Sequence, residues 1–413
     1  MSIKNLNLYI SKKCLNDLKY WISNNFPQKK YFILISDKKI MKNCDKVVTE
    51  EFYKIFNQIL IIDNPVASLE LAKDIANNKI KIEQNTNSNL VIAMGSGTIN
   101  DLAKYASYLL KVDYMVIPTA TSMNGYFSAN ASLSANHHKK TFTANSPKAV
   151  FCDINLVKTA PKNLNIAGIA DSLAFYSCKF DWLLSHLIFD TKISLDAIKL
   201  ANKAIDEVFD AYNINKEKYN IDNDDFLEKL MRILIMLGEA MNIAKGSYPA
   251  SQSEHLIAHS LTMKYPDHFD KIYHGRQIAT TLIDSITMQE KIYQSKNIRL
   301  ANIDFDYQEM VDFFGSFQAK EIQIEYQNKL EIFVKKNFLN NFSNKEWERI
   351  KNEINSYFNG NFMTKNRILE IFYQFNIEYG LKDFAINEQD YKECLNKARF
   401  IRNRITCLDI ILP

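Results

Sequence analysis

The chain has 413 residues, 47% of them hydrophobic and 12% aromatic, more than one hydrophobic core usually serves and enough material for two. Its 51 basic and 47 acidic residues leave a net charge of +4 with no long like-charge run, so there is no basic stripe to track a nucleic-acid backbone. No stretch approaches the ~18 consecutive apolar residues of a membrane span, and neither nucleic acid nor membrane is expected as a partner.

The first strand-like run is 30–37 (KYFILISD), followed by 56–63 (FNQILIID), 88–95 (SNLVIAMG) and 113–119 (DYMVIPT). Each is short, bounded and almost continuously apolar, as strands of a parallel sheet covered on both faces are. Between them, 68–82 and 99–110 carry apolar residues at helical spacing. Alternation of this kind predicts a doubly wound, Rossmann-like α/β domain over residues 1–160. After AVFCDINLV the strands disappear, and 167–189, 194–212 and 224–244 lead a series of helices. Residues 161–413 are therefore expected to form an all-α domain.

The strand 89–94 runs into Gly95, Ser96, Gly97 and Thr98 and then directly into a helix. Glycines let the backbone approach a pyrophosphate closely, and the free N–H groups of the helix start attract negative charge. The turn lacks the full spaced-glycine dinucleotide fingerprint. At the end of the next strand stands a second hydroxyl-rich loop, 118–128 (PTATSMNGYFS), placed where open α/β sheets bind ligands.

Four of the seven histidines, His255, His259, His268 and His274, fall within about twenty residues. With Asp171, His255 and His274 make one carboxylate and two imidazoles, a set that suits catalytic Zn²⁺ or Fe²⁺ and leaves a coordination position open. The six cysteines are scattered without paired metal-ligand spacing, and the N-terminal MSIKNLNLYISKK lacks a signal-peptide core. Reduced thiols in a cytoplasm are the expectation.

The order GSGTINDLAK, PTATSMNG, GIADS, SEHLIAHSL, HGRQ and RNRITCLDIIL resembles the sn-glycerol-1-phosphate dehydrogenases. These belong to the larger group of iron-containing alcohol dehydrogenases, glycerol dehydrogenase and 3-dehydroquinate synthase. The resemblance implies a nucleotide-binding α/β domain, a helical domain and an active site in the cleft between them. It implies that Gly95, Ser96, Gly97, Thr98 and Ile99 contact the dinucleotide phosphates and that Thr119, Ser122 and Ser128 line the nicotinamide. It also implies Asp171, His255 and His274 as ligands of one Zn or Fe ion, with Ni not separated from them. His259 would act on the substrate and relay a proton, with Asp171 beside it, and Asp37 would accept from a ribose hydroxyl of NAD(H), NADP(H) being the other cofactor in view.

Three positions depart from the family pattern. Asn124 stands where a substrate-binding aspartate is usual, Arg276 where a glutamate follows the histidine and glycine, and Ala170 where a glycine precedes the aspartate. Asn124 and Arg276 predict an anionic substrate. The expected activity is a metal-dependent NAD(P)(H) oxidoreductase interconverting a small polyol, such as sn-glycerol 1-phosphate, with its ketone, dihydroxyacetone phosphate. A lyase or cyclase of the 3-dehydroquinate synthase type without net redox, or a non-catalytic descendant of the fold, stay open as alternatives, as does a homodimer.

Overall fold

The computed structural model describes the chain except residues 1–5, 136–137, 210–219, 270, 302, 337–342, 359–361, 383 and 413. Its residues group into two compact units. Unit one comprises Met1–Ser172 with Leu200–Asn242, and unit two Leu173–Lys199 with Ile243–Pro413.

Unit one carries β1 (Leu8–Ser11), β2 (Tyr31–Asp37), β3 (Gln58–Ile62), β4 (Asn89–Gly95), β5 (Asp113–Pro118), β6 (Asn130–Ala135), β7 (His138–Thr143) and β8 (Val150–Asp153). Six of them form one sheet in the order β1-β8-β5-β4-β2-β3, parallel at every pairing. The four strands expected from apolar runs are β2 to β5, each within a residue or two of its expected bounds. All of β4 is buried, which is why its sequence is apolar without alternation. Leu34, Ile92, Met94, Met115, Ile117 and Phe151 join Trp21 and Leu18 in one core. The antiparallel hairpin of β6 and β7 and the edge strand β1 were not expected.

From β2 the chain steps to β3 on one side, and from β4 to β5 on the other. The order therefore reverses between β2 and β4, the position at which open sheets receive ligands beyond their carboxyl ends. Helix α1 (Gly97–Leu110) starts there.

Five helices carry the remaining argument: α1, α2 (Lys162–Phe189), α3 (Asp224–Ala244), α4 (Ser253–Lys264) and α5 (His274–Gln294). Residues 194–212, expected as one helix, are helical over Leu195–Phe209, and 210–212 lie outside the described residues. The limits of the units at residues 172 and 242 fall inside α2 and α3. In unit two, Leu256, Ile257 and Leu261 of α4 pack with Phe269, Phe314, Ile322 and Phe384. Arg299–Leu300 and Ile410–Ile411 pair as a two-residue antiparallel ribbon, a small strand component in a region expected to be all helical. Among the described residues, no helix is long and apolar enough to cross a membrane.

Candidate metal centre and nucleotide loops

Asp171 lies on α2, His255 on α4, and His274 is the first residue of α5. One turn further along these helices stand Ala174, Ala258 and Ile278, at most 1% exposed, which pack together as a small cluster. Two alanines let the helices approach closely, and a side chain one turn away on the same face is carried with them. The ligand atoms of Asp171, His255 and His274 all lie within 4.8 Å of one another. His255 Nε2 and His274 Nε2 are 3.2 Å apart, close to the ~3.3 Å that separates two nitrogens bound to one tetrahedral Zn²⁺ at about 2.05 Å. Donor set and spacing fit a divalent ion.

Sequence reasoning passed over Glu254. Its carboxylate is fully buried and accepts from His255 Nδ1 at 2.8 Å, the Gln252 N–H at 2.8 Å, Ser177 Oγ at 2.7 Å and Cys178 Sγ at 3.0 Å. Burial pushes this carboxyl up, but the His255 hydrogen bond and charge, with the Gln252 N–H and Cys178 thiol, outweigh it and hold the group down at about 2. Glu254 thereby fixes the tautomer that turns His255 Nε2 toward the cluster, the usual outer-sphere arrangement of a ligating imidazole. Nearby, Asp181 accepts from the Ser253 and Cys407 backbone N–H groups and from Gln289 Nε2. These bonds tie α2, α4, α5 and the C-terminal segment together.

The second loop is held from beneath. Asn165 accepts from the Thr121 N–H at 2.8 Å, and a Cβ on Gly168 would stand 2.0 Å from the Thr121 carbonyl oxygen. Only glycine allows this approach of α2 to the loop. The Asn124 N–H then donates to Asp171 Oδ2 at 2.7 Å, orienting the carboxylate. Lys104, fully buried on α1, donates to the carbonyls of Gly125 and Asn130 at 2.8 and 2.9 Å. Burial lowers its pKa, while Asp101 beside it acts the other way.

Gly95 is paired with Pro118, and the Thr119 N–H donates to the Gly95 carbonyl. The two loops therefore leave the ends of adjacent strands. Ser96 stands at the N-cap of α1 without a side-chain capping bond, and Ser96, Gly97 and Thr98 are partly exposed while Ile99 is buried. The first-turn N–H groups lack intrahelical partners, which suits a phosphate. At Gly95 a Cβ would meet that of Ile99 at 2.4 Å.

The other expected site residues fall as follows. Thr119 and Ser122 are buried, and the Ser122 hydroxyl pairs with that of Tyr126 at 3.1 Å. Ser128 is turned inward: its hydroxyl donates to the Asn130 carbonyl and receives Lys104, so it braces the loop. Asp37 at the end of β2 caps the next helix through the Ile40 N–H. His259 is partly exposed one turn from His255, with ring centroids 6.2 Å apart. Among the described residues, Asn124 Nδ2 is buried with no hydrogen-bond partner.

Two residues past His274, Arg276 projects to another face of α5, where it donates to Thr280 Oγ1 at 2.6 Å and the Gly380 carbonyl at 3.1 Å and lies 5.1 Å above the Phe384 ring. A guanidinium engaged in this way braces Gly380 and Phe384 against α5.

Residues 9–161 match the model of the iron-containing alcohol dehydrogenase family. Solved structures share the fold over nearly the whole chain. A probable glycerol dehydrogenase from Sinorhizobium meliloti superposes with a TM-score of 0.59 at 15% identity, covering 97% of this chain and 93% of the other. The NADH-dependent butanol dehydrogenase A of Thermotoga maritima gives 0.58 at 17%, covering 97% and 90%. The match to the iron-containing alcohol dehydrogenase family thus covers the N-terminal part of the chain. The chain is also similar to proteins named glycerol-1-phosphate dehydrogenase [NAD(P)+]. That of Bacillus licheniformis is 32% identical over 209 residues, 50% of each chain, and that of Pyrococcus furiosus 32% over 223 residues, 54% of this chain and 60% of the other. The chain thus spans about half to three fifths of the length of these relatives.

Proposed function

We propose that the chain is a metal-dependent NAD(P)(H) oxidoreductase that interconverts a small phosphorylated polyol, sn-glycerol 1-phosphate foremost, with its ketone. The observation that carries this reading is the convergence of Asp171, His255 and His274 within 4.8 Å, in a chain similar to proteins named glycerol-1-phosphate dehydrogenase [NAD(P)+]. Asp171, His255 and His274 would hold one Zn or Fe ion, Glu254 fixing His255 and the Asn124 N–H fixing Asp171. When bound, the ion polarises a substrate oxygen and the nicotinamide carries hydride.

The chain's own groups do the rest. The uncapped start of α1 receives the dinucleotide phosphates. Thr119 and Ser122, leaving the adjacent strand, present hydroxyls to the nicotinamide side. Asn124 Nδ2, buried without a partner, donates to a substrate oxygen in place of a carboxylate, so an anionic substrate meets no like charge there. His259 moves the proton between substrate oxygen and water. A cytoplasmic setting agrees with six free, buried cysteines.

The test is a reductase screen of the metal-loaded protein against dihydroxyacetone phosphate, dihydroxyacetone and other neutral and anionic carbonyls, with NADH and NADPH. Stoichiometric cofactor oxidation fastest with the phosphorylated ketone is expected. Faster oxidation with neutral compounds overturns the substrate assignment, and none with any compound overturns the oxidoreductase.

A further inference from the structure

Unit two holds a cavity of about 390 Å³ whose walls include Trp182, Tyr248, Gln252, Ile332, Arg404 and Ile405. None of Asp171, His255 and His274 lines it, and Trp182 stands eleven residues beyond Asp171 on α2, about 16 Å along the axis. The volume lies within the range of small-molecule sites.

Three features of the wall specify a ligand. Gln252 is 2% exposed, and its Nε2 donates to the Tyr248 carbonyl at 3.4 Å. That bond sets which end of the amide is which and leaves Oε1 buried with no donor. An acceptor in that condition calls for an O–H or N–H from outside the chain. Arg404 uses two of its N–H-bearing nitrogens on Ser247 Oγ and the Ser251 carbonyl, and its guanidinium rests 4.5 Å above the Tyr248 ring. That ring stacks in turn on Trp182, with centroids 5.5 Å apart and planes 15° from parallel. The stack holds a planar cation at the wall, a group whose shape suits a carboxylate or phosphate. Asp190 and Lys192, also on the lining, carry opposite charges. Ile332, Ile405 and the Trp182 ring provide apolar surface.

We propose that this cavity is a second ligand site, for a small organic anion with a flat apolar body and a hydroxyl or amine donor. It is independent of the dehydrogenase reading, because binding is measured and turnover is not.

The probe is 4-hydroxybenzoate, titrated into the full chain by calorimetry and by tryptophan fluorescence, beside benzoate, which lacks the donor, and 4-hydroxybenzamide, which lacks the charge. Saturable one-to-one binding of 4-hydroxybenzoate is expected, with each control at least tenfold weaker. In Gln252→Met the advantage over benzoate disappears, and Arg404→Lys weakens both acids. Circular dichroism establishes that each variant is folded, and the ligand series on the wild-type chain decides the matter if Arg404→Lys is not. Binding persists in His274→Ala. Equal affinity for the three compounds, no saturable binding, an unchanged preference in Gln252→Met, or loss of binding in His274→Ala would each overturn the site.

Discussion

His255 Nδ1 lies 2.8 Å from the Glu254 carboxylate, on the ring edge opposite the Nε2 that meets His274. Removing the carboxylate's charge while keeping its shape should cost metal affinity and little else. Glu254→Gln is expected to weaken binding of Zn²⁺ about 10–100-fold, the usual effect of an outer-sphere partner. His255→Ala and His274→Ala, which delete a ligand, should lose more. Competition against a chromophoric chelator measures all three, and wild-type affinity in Glu254→Gln would reduce the residue to packing.

Gly168 is where α2 touches the second loop. An added methyl meets the Thr121 carbonyl, a backbone atom that cannot swing aside. Gly168→Ala should destabilise the protein by about 1–3 kcal/mol and weaken metal binding as well, because the displaced loop carries the N–H that orients Asp171. Thermal unfolding together with elemental analysis checks both effects.

Gly97 behaves differently, since a Cβ there meets only the Met123 thioether at 3.1 Å. The thioether can give way, so Gly97→Val should fold and retain metal. Its two methyls occupy space over the start of α1, and NAD(H) affinity should fall at least tenfold, roughly 1.4 kcal/mol or more. Unchanged calorimetric affinity would mean that the turn does not receive a nucleotide.

Arg276→Ala separates a bracing role from a substrate contact. Loss of the bonds to Thr280 and Gly380 should cost about 1–3 kcal/mol of stability. The ranking of anionic over neutral carbonyl substrates should stay as in the wild type. A collapsed preference would restore Arg276 to the substrate.

Burial pushes the Cys14 and Cys394 thiols up to about 12 and raises Cys152, Cys178 and Cys407 well above the ordinary value. The thiolate is the reactive form. Raising the pH from 7 to 9 titrates an ordinary thiol near 8.5 but leaves these protonated. Native protein treated with a colorimetric disulfide reagent should therefore react at these five positions at a low rate throughout that window, and all six cysteines should react after denaturation. Rapid native labelling of these cysteines near pH 8 would contradict the buried placement.

The parts of the fold legible in the sequence were those written in one period. β2 to β5 are buried on both faces and so read as plain apolar runs. The hairpin of β6 and β7 was missed because the half-buried positions of β6 include Asn130, Ser132 and Ser134, poor strand formers, with only Ala131 and Leu133 buried to mark the alternation. Asp101 and Lys104 stand three apart on α1, a spacing that reads as a solvated ion pair, yet Lys104 is fully buried. Its carbonyl partners come from a loop about twenty residues away, which no local pattern reports. The candidate metal ligands stood out because histidine is scarce in this chain. Glu254 did not, since one glutamate in the first turn of a helix is ordinary.

Under the proposed function, the missing cap at Ser96 would give unit one a stability that depends on its surroundings. A helix end closed by a side chain is equally stable everywhere, whereas one closed by a dissociable anion gains free energy in proportion to the logarithm of that anion's concentration. At a hundred times Kd the gain is about 2.7 kcal/mol, a sizeable part of the 5–15 kcal/mol that holds a typical domain folded. Depletion of the dinucleotide would then shorten the protein's lifetime against heat and proteolysis, coupling its abundance to the supply of the molecule that would occupy its loops.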